Sequence, residues 1–286
     1  MHSLQEPLRL ESRNFIIGIP DIYYYDRKNK VVVMQDAGTT LKSNLLAGKI
    51  NSSQAVAIGC ALADFAMLLH TWSKTQPQLC QEVSKHHQVK DVFLWVHYAR
   101  LGETISMVSD GILEGYQETF ERAYQLMVSE MRDPVGCGII NGDYSTGNTL
   151  VLQDTTDSNR INRLNIIDWE ISSVAPAFFD IGRLSAEVFL VYHFGKRPEA
   201  IRLLDAFLGT YRGIDSTAAR CKVAIVFGAH LVIWPIRVQG WGTIGEIEEG
   251  VKIGAEYLQR GLQGDVNWLQ KSILGELFRE SSTQIT

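Results

Sequence analysis

Two short β-forming runs set inside a long helical stretch constrain this chain most. "NTLVLQ" (148–153) and "RLNIID" (163–168) are joined by "DTTDSNRIN", a loop built from turn formers, and together they read as a β-hairpin. In an antiparallel pair the start of the first strand lies beside the end of the second. Asn148 and Asp168 are therefore neighbours at the open end, although twenty residues separate them. Asp143 lies on the loop "NGDYSTG" that feeds the same end, where Gly142 and Gly147 permit tight turns. Two carboxylates and one amide oxygen are thus expected to converge. Such hard oxygen donors suit Mg²⁺, which takes one or two carboxylates and fills its shell with water and phosphate oxygens. Asp143 would orient or deprotonate a hydroxyl, while Asn148 and Asp168 hold the metal. Each residue alone has a plainer explanation, because Asp and Asn close Asx-turns and end strands. Three together weigh against it.

The remainder of the chain supplies the setting. "IYYY" and "VVVMQD" flank the polar turn "DRKNK" between Ile22 and Asp36, which predicts a second hairpin. "AGTTLKSNLLAGKINSS" reads as a connector with about one helical turn. Residues 52–72 carry apolar side chains at three- and four-residue spacing, a long helix capped by Ser52 or Ser53. Helical rhythm continues over 91–131 and again from Phe178 onward, with breaks at Gly195–Pro198, Gly213–Asp215, Gly240–Gly242 and Gly264. The most apolar run, 223–234, ends at Trp234–Pro235, where a helix should stop. At twelve residues this run is too short to cross a bilayer, so no membrane span is expected.

Charge and cysteine content narrow the class. A net charge of −5 argues against nucleic acid as the main partner. Cys60, Cys80, Cys137 and Cys221 lie far apart without metal-finger spacing, and read as mostly buried, reduced thiols of a cytoplasmic protein. The N-terminus lacks the apolar stretch of a signal peptide. Oligomeric state has no sequence signature here.

"NGDYSTGNTLVL…LNIIDWEISSVAPAFFDIGRL" resembles the catalytic core of the aminoglycoside phosphotransferase and choline kinase-like family. The resemblance covers nearly the whole chain. It implies an α+β, protein-kinase-like fold, with a reduced small β lobe and hinge over 1–38. A large, mostly helical lobe over 39–286 would carry the inserted catalytic β-hairpin, 141–170. By this resemblance Asp143 matches the catalytic base, Asn148 the amide metal ligand and Asp168 the carboxylate metal ligand, with Pro176 and Asp180 as the structural follow-on. "VVVMQDAG" resembles the hinge, where backbone groups of Met34, Gln35 and Asp36 would meet the adenine of ATP. "ALADFAMLLH" resembles the first helix of the large lobe.

Two departures stand out. Asn141 replaces the family's His in the loop triplet; an amide retains part of the hydrogen bonding. Only about thirty residues precede the hinge, with Gly18 the sole glycine before Val31 and Lys28 and Lys30 in the hairpin turn. The expected phosphate loop and strand lysine are thus missing, "LRLESRNF" is a remnant of the small lobe's helix, and Glu11 would be that helix's acidic residue. Losing those cations weakens the grip on a triphosphate.

The leading expectation is Mg²⁺-dependent phosphoryl transfer to a small-molecule hydroxyl. One alternative reuses the metal for non-kinase chemistry on an apolar, phosphorylated substrate, such as isoprenoid diphosphate ionisation or cyclisation, against walls formed by Phe189, Tyr192, Phe194, Trp234 and Trp241. Plain core packing competes for those aromatics. A non-catalytic binding protein is the third reading. Asp180 and Glu187 share a helix face at a spacing too common to mark a second metal site. Ser145, His86 and His87 read as surface groups, His70 and His230 as satisfied core histidines, and Glu246, Glu248 and Glu249 as a solvated face.

Overall fold

A computed structural model describes residues 7–134, 136–154, 156–157 and 160–279. Strands β1 (Leu10–Ser12) and β2 (Phe15–Gly18) pair antiparallel with Ser12 opposite Phe15. Arg13 and Asn14 between them both have positive φ, 53° and 74°, the backbone of a two-residue hairpin turn. "LRLESRNF" is therefore not a helical remnant: the left-handed turn ends any helix, and Phe15 and Ile17 alternate inward. Glu11 faces solvent. Among the described residues, strands β3 (Ile22–Asp26) and β4 (Val31–Met34) pair only with each other. Asp26 organises their turn by accepting from the backbone N–H of Lys28 and Asn29.

After β5 (Thr39–Thr40) come α1 (Leu41–Leu46) and the long α2 (Ser52–Lys74). Asn51, not Ser52 or Ser53, caps α2, in a reciprocal capping box with Gln54. The helical rhythm of 91–131 resolves into several pieces. Following α3 (Pro77–Ser84), α4 (His87–Leu94) runs straight into a π-helical turn, Trp95–Ala99, then a 3₁₀ turn, Gly102–Met107, before α5 (Gln117–Arg132). Strand β6 (Ile139–Ile140) leads to the loop and to β7 (Thr149–Gln153) and β8 (Ile161–Ile166), which pair antiparallel. Strand β9 (Ser173–Val174) returns to pair with β6.

The principal sheet has the order β1-β2-β8-β7-β5, with β2 parallel to β8. Residues 10–18 thus lie on the same sheet as the 149–166 hairpin, while Ile22–Met34 stands apart from it. Behind the sheet, α6 (Phe178–Gly195) is buried along almost its whole length. It packs against α7 (Pro198–Thr210), α8 (Thr217–Arg237) and α9 (Ile244–Gln263), with the short α10 (Val266–Leu269) set on α8 and α9. Helices α8 and α9 pack at glycines: a Cβ on Gly228 would lie 2.4 Å from the Gly254 carbonyl oxygen, so any larger residue would push the helices apart.

Helix α8 does not stop at Pro235. It continues to Arg237, whose guanidinium donates to the Ile233 carbonyl, to the Thr104 hydroxyl and to the Arg100 carbonyl. Tertiary bonds hold the turn that the proline weakens. By length and composition α2 and α8 are apolar enough to cross a membrane, but 56% and 72% of their apolar windows are buried inside the protein. The twelve-residue run is thus part of a longer core helix.

Candidate active site

The loop after β6 is shaped by one buried carboxylate. Asp180, in the first turn of α6 and 1% exposed, accepts from the Asn141 N–H at 2.8 Å and the Gly142 N–H at 2.9 Å. His70 Nε2 lies 3.0 Å from the same carboxylate, and its Nδ1 meets the Tyr211 hydroxyl at 2.8 Å. Gly142 has φ 85°, and a Cβ there would lie 2.5 Å from the Ile171 carbonyl oxygen, so glycine is required. Tyr144 anchors the loop from below by donating to the Leu62 carbonyl. Asn141 bridges the two arms of the site: its Oδ1 accepts from the Asp143 N–H and its Nδ2 donates, at a long 3.4 Å, to the Asp168 carbonyl. The amide that replaces His thus still ties loop to strand end.

The structure places Asn148 and Asp168 at the open end of the β7–β8 hairpin. Thr149 is opposite Ile166, and the Ile167 N–H donates to the Asn148 carbonyl at 3.0 Å. Asn148 donates from Nδ2 to the Asp143 main-chain carbonyl at 3.1 Å, which leaves its amide oxygen as the acceptor. Ser145, buried rather than on the surface, accepts from the Asn148 N–H. Asp168 has φ 60°, a left-handed conformation that an Asp tolerates at modest cost. Burial raises its pKa, and the neighbouring charges of Asp143 and Glu170 raise it further, with Arg183 opposing them. Two neighbouring carboxylates beside an amide oxygen fit a divalent cation of the Mg²⁺ type, which needs few protein ligands. Among the described residues there is no larger His, Cys, Asp and Glu group of metal-binding form.

Arg183 is the residue that sequence reasoning missed. It lies one turn beyond Asp180 on α6, 5% exposed, and pairs through Nη2 with Asp143 Oδ1. Nη1 sits 2.9 and 3.0 Å from the two ring nitrogens of His97, and the guanidinium carbon lies 5.3 Å from the centre of the Trp234 ring. Burial, then Arg183 and His230, hold the His97 pKa well below its ordinary value, so His97 is neutral. It is carried on the π-helical turn, a geometry common at functional sites. Phe93, His97, Arg183 and His230 border a cavity of about 10 Å³, roughly the room one water needs.

Further along the same face of α6, buried Glu187 accepts from His230 at 2.8 Å and from Thr146 at 3.3 Å. Burial opposes its ionisation, but the hydrogen bond from His230 and the charges of Arg183 and Lys42 outweigh that and lower its pKa. Burial lowers the His230 pKa, so a neutral imidazole donates to a carboxylate. Lys42 is half-buried and its pKa is lowered by burial, with Glu187 opposing; its Nζ lies 3.4 Å from the centre of the Trp241 ring. Asp180 and Glu187 do share a face, yet each is satisfied by separate partners. The signal for Arg183 was present in "DIGRLSAE": an otherwise apolar helix with charges at i, i+3 and i+7 must find partners for all of them on one side.

The residues read as a hinge, Met34 to Asp36, lie near β8. The Gln35 N–H donates to the Asp21 carbonyl at 2.7 Å and its side chain accepts from Arg163, while Asp36 accepts from the Gly38 N–H. Met34 is 41% exposed. Asn165 donates to the Ala37 carbonyl, which fixes this segment against the sheet. Among the aromatics, Phe189 and Trp241 are core, Trp234 and Phe194 are half-buried, and Tyr192 is exposed. Glu246 completes the capping box of α9 and Glu248 accepts from Ser109, so these are structural acids. Three of the four cysteines are only half-buried; Cys221 is buried.

No family model matches the chain. It is 26% identical over 278 residues to a 4-hydroxytryptamine kinase of Psilocybe cyanescens, covering 93% of this chain and 73% of that protein. A 4-hydroxytryptamine kinase of Psilocybe cubensis is 22% identical over 281 residues, 94% of this chain and 73% of its own. Phosphotransferase FrzJ of a Cladobotryum species is 21% identical over 272 residues, 92% of this chain and 70% of its own. Among solved structures, a choline/ethanolamine kinase family protein from Mesorhizobium loti aligns with a TM-score of 0.41 and 18% identity over 91% of this chain and 78% of its own.

Proposed function

We propose that this chain, which is similar to two 4-hydroxytryptamine kinases and a phosphotransferase, transfers a phosphoryl group from Mg²⁺-bound ATP to a small-molecule hydroxyl. One observation carries this reading. The Asn141 amide ties the Asp143 N–H to the Asp168 carbonyl, while Asn148 bonds to the Asp143 carbonyl and lies across the strand ends from Asp168. A base and a pair of metal-binding oxygens occupy one end of one hairpin.

In this reading Asn148 and Asp168 would hold a Mg²⁺ ion, which when bound would supply charge neutralisation at the transferring phosphate. Asp143 would orient the acceptor hydroxyl and take its proton as the new O–P bond forms and the bond from the γ-phosphorus to the bridging oxygen breaks, releasing ADP. The Asp180 carboxylate keeps the loop backbone in place, so Asp143 is presented without reorganisation. Backbone groups of Met34 to Asp36 meet the nucleotide base. The acceptor class follows from the relatives' names and from the half-buried Trp234, which stacks on His230 next to Arg183. A hydroxylated aromatic amine is the first acceptor to test. A phenolic hydroxyl has a pKa of about 10, so a carboxylate suffices as base. None of the relatives named above is a lyase or cyclase.

The test is incubation with ATP, Mg²⁺ and 4-hydroxytryptamine or other hydroxylated aromatic amines, followed by phosphorus NMR and mass spectrometry. A phosphorylated acceptor is expected, and Asp143→Asn should lower its rate of formation by roughly 10²–10⁴-fold. No phosphorylated product and no Mg²⁺-dependent ATP turnover would remove the proposal.

A further inference from the structure

The site contains a tension. Asp143 and Asp168 are joined through the Asn141 amide, which accepts from one main chain and donates to the other, and a divalent cation placed between two such carboxylates is drawn to both. A base bound directly to the metal is weakened, because the cation's charge lowers the carboxylate's affinity for the acceptor's proton. Something must keep Asp143 off the cation.

Arg183 is placed to do this. Its guanidinium is held on three sides: by Asp143 through Nη2, by His97 at Nη1 and by the Trp234 ring against its plane. The α6 backbone that carries it is the same turn whose Asp180 clamps Asn141 and Gly142. Asp143 and the cation that faces it are therefore built on one rigid framework. His97 is buried against Arg183 and neutral, so Arg183 is the positive charge at that contact.

We infer that Arg183 is a positioning residue that divides the two carboxylates by role, holding Asp143 on the acceptor side so that a divalent cation is confined to Asp168 and Asn148. The inference rests on the phosphotransferase reading of the site. Arg183 engages Asp143 Oδ1 through Nη2 alone, which leaves the other carboxylate oxygen for the acceptor hydroxyl. A buried ion pair of this kind is weak evidence for added stability, so its contribution is sought in the metal site.

Mn²⁺ binding, read from the free-ion electron paramagnetic resonance signal without nucleotide, separates the possibilities. The proteins are wild type, Arg183→Met, Arg183→Lys, Asp143→Asn and the Arg183→Met/Asp143→Asn double variant, each checked for folding by circular dichroism. Arg183→Met frees Asp143 to join the cation and should bind Mn²⁺ roughly ten-fold more tightly than wild type. Arg183→Lys, which keeps the charge, should stay within about three-fold, and the double variant should return to the wild-type affinity. Asp143→Asn alone should leave affinity within about two-fold, which keeps the inference testable if Arg183→Met does not fold. Unchanged or weaker binding by folded Arg183→Met overturns the inference, as does a roughly ten-fold loss in Asp143→Asn. Wild type that binds no Mn²⁺ at millimolar concentration overturns the phosphotransferase reading and this inference with it, a pattern distinct from the other two.

Discussion

The hairpins Ile22–Met34 and Thr149–Ile166 are written in similar residues and end in opposite environments. Both consist of β-branched and aromatic or aliphatic runs around a polar turn. Strand β8 lies between β7 and β2, and β7 lies between β8 and β5, so their backbone edges are paired and Val151, Leu164 and Ile166 enter the core. Strands β3 and β4 have only each other, and Tyr23, Tyr24 and Tyr25 are 68%, 55% and 61% exposed. An isolated two-stranded hairpin is marginal in water. This one is held by its Asp26 turn, by the Gln35 bond to Asp21 and by Arg163 3.6 Å from Asp21. Apolar content therefore does not decide which strand is buried; the partner at the strand's edge does. The site was built on the hairpin that has partners.

Substitutions break this comparison to graded extents. Asp180→Ala should have the largest effect: it strips the Asn141 and Gly142 N–H groups and His70 of their common acceptor in a buried site. A loss of about 3–5 kcal/mol is expected, measured by urea unfolding, with transfer activity lost alongside. Glu187→Gln comes next, weakening the bond from His230 at a cost of about 1–3 kcal/mol at neutral pH. Glu187 has a lowered pKa, so its contribution is present above the ordinary glutamate range and disappears as pH falls through its lower folded value. Wild type should therefore lose stability below about pH 4.5, and the variant should show a flatter acid limb in melts taken across that range.

Asp168→Asn tests the other sign. Its pKa is raised, so the folded protein holds that proton more tightly than the unfolded chain, and stability falls as pH rises through the shifted value. Without metal, Asp168→Asn should melt slightly higher than wild type at pH 7 and equally near pH 3. Added Mg²⁺ should raise the wild-type melting temperature and leave the variant unmoved. The smallest effect belongs to the exposed hairpin. Tyr25→Ser should change stability by less than about 0.5 kcal/mol in the same unfolding assay. A larger loss would show that the hairpin is packed after all.

Much of the fold was legible because local rules act over few residues. The two hairpins, the long helix α2 and the breaks at Gly195–Pro198, Gly213–Asp215, Gly240–Gly242 and Gly264 follow from periodicity and turn chemistry. Errors arose where a distant contact overrode a local preference. Helix α8 runs past Pro235 because Arg237 bonds to residues about 130 positions away. Residues 10–18 are strands because β2 finds β8, and no local pattern announces a parallel partner.

The same division holds at the site. Sequence alone brought Asn148 and Asp168 together, because a hairpin's register places its two ends side by side; the loop that carries Asp143 is held by the distant Asp180. Only the tertiary structure decided how Asp143 is held. Arg183, His97 and Trp234 come from α6, the π-helical turn and α8, and their meeting depends on how helices pack, which spacing along the chain does not encode.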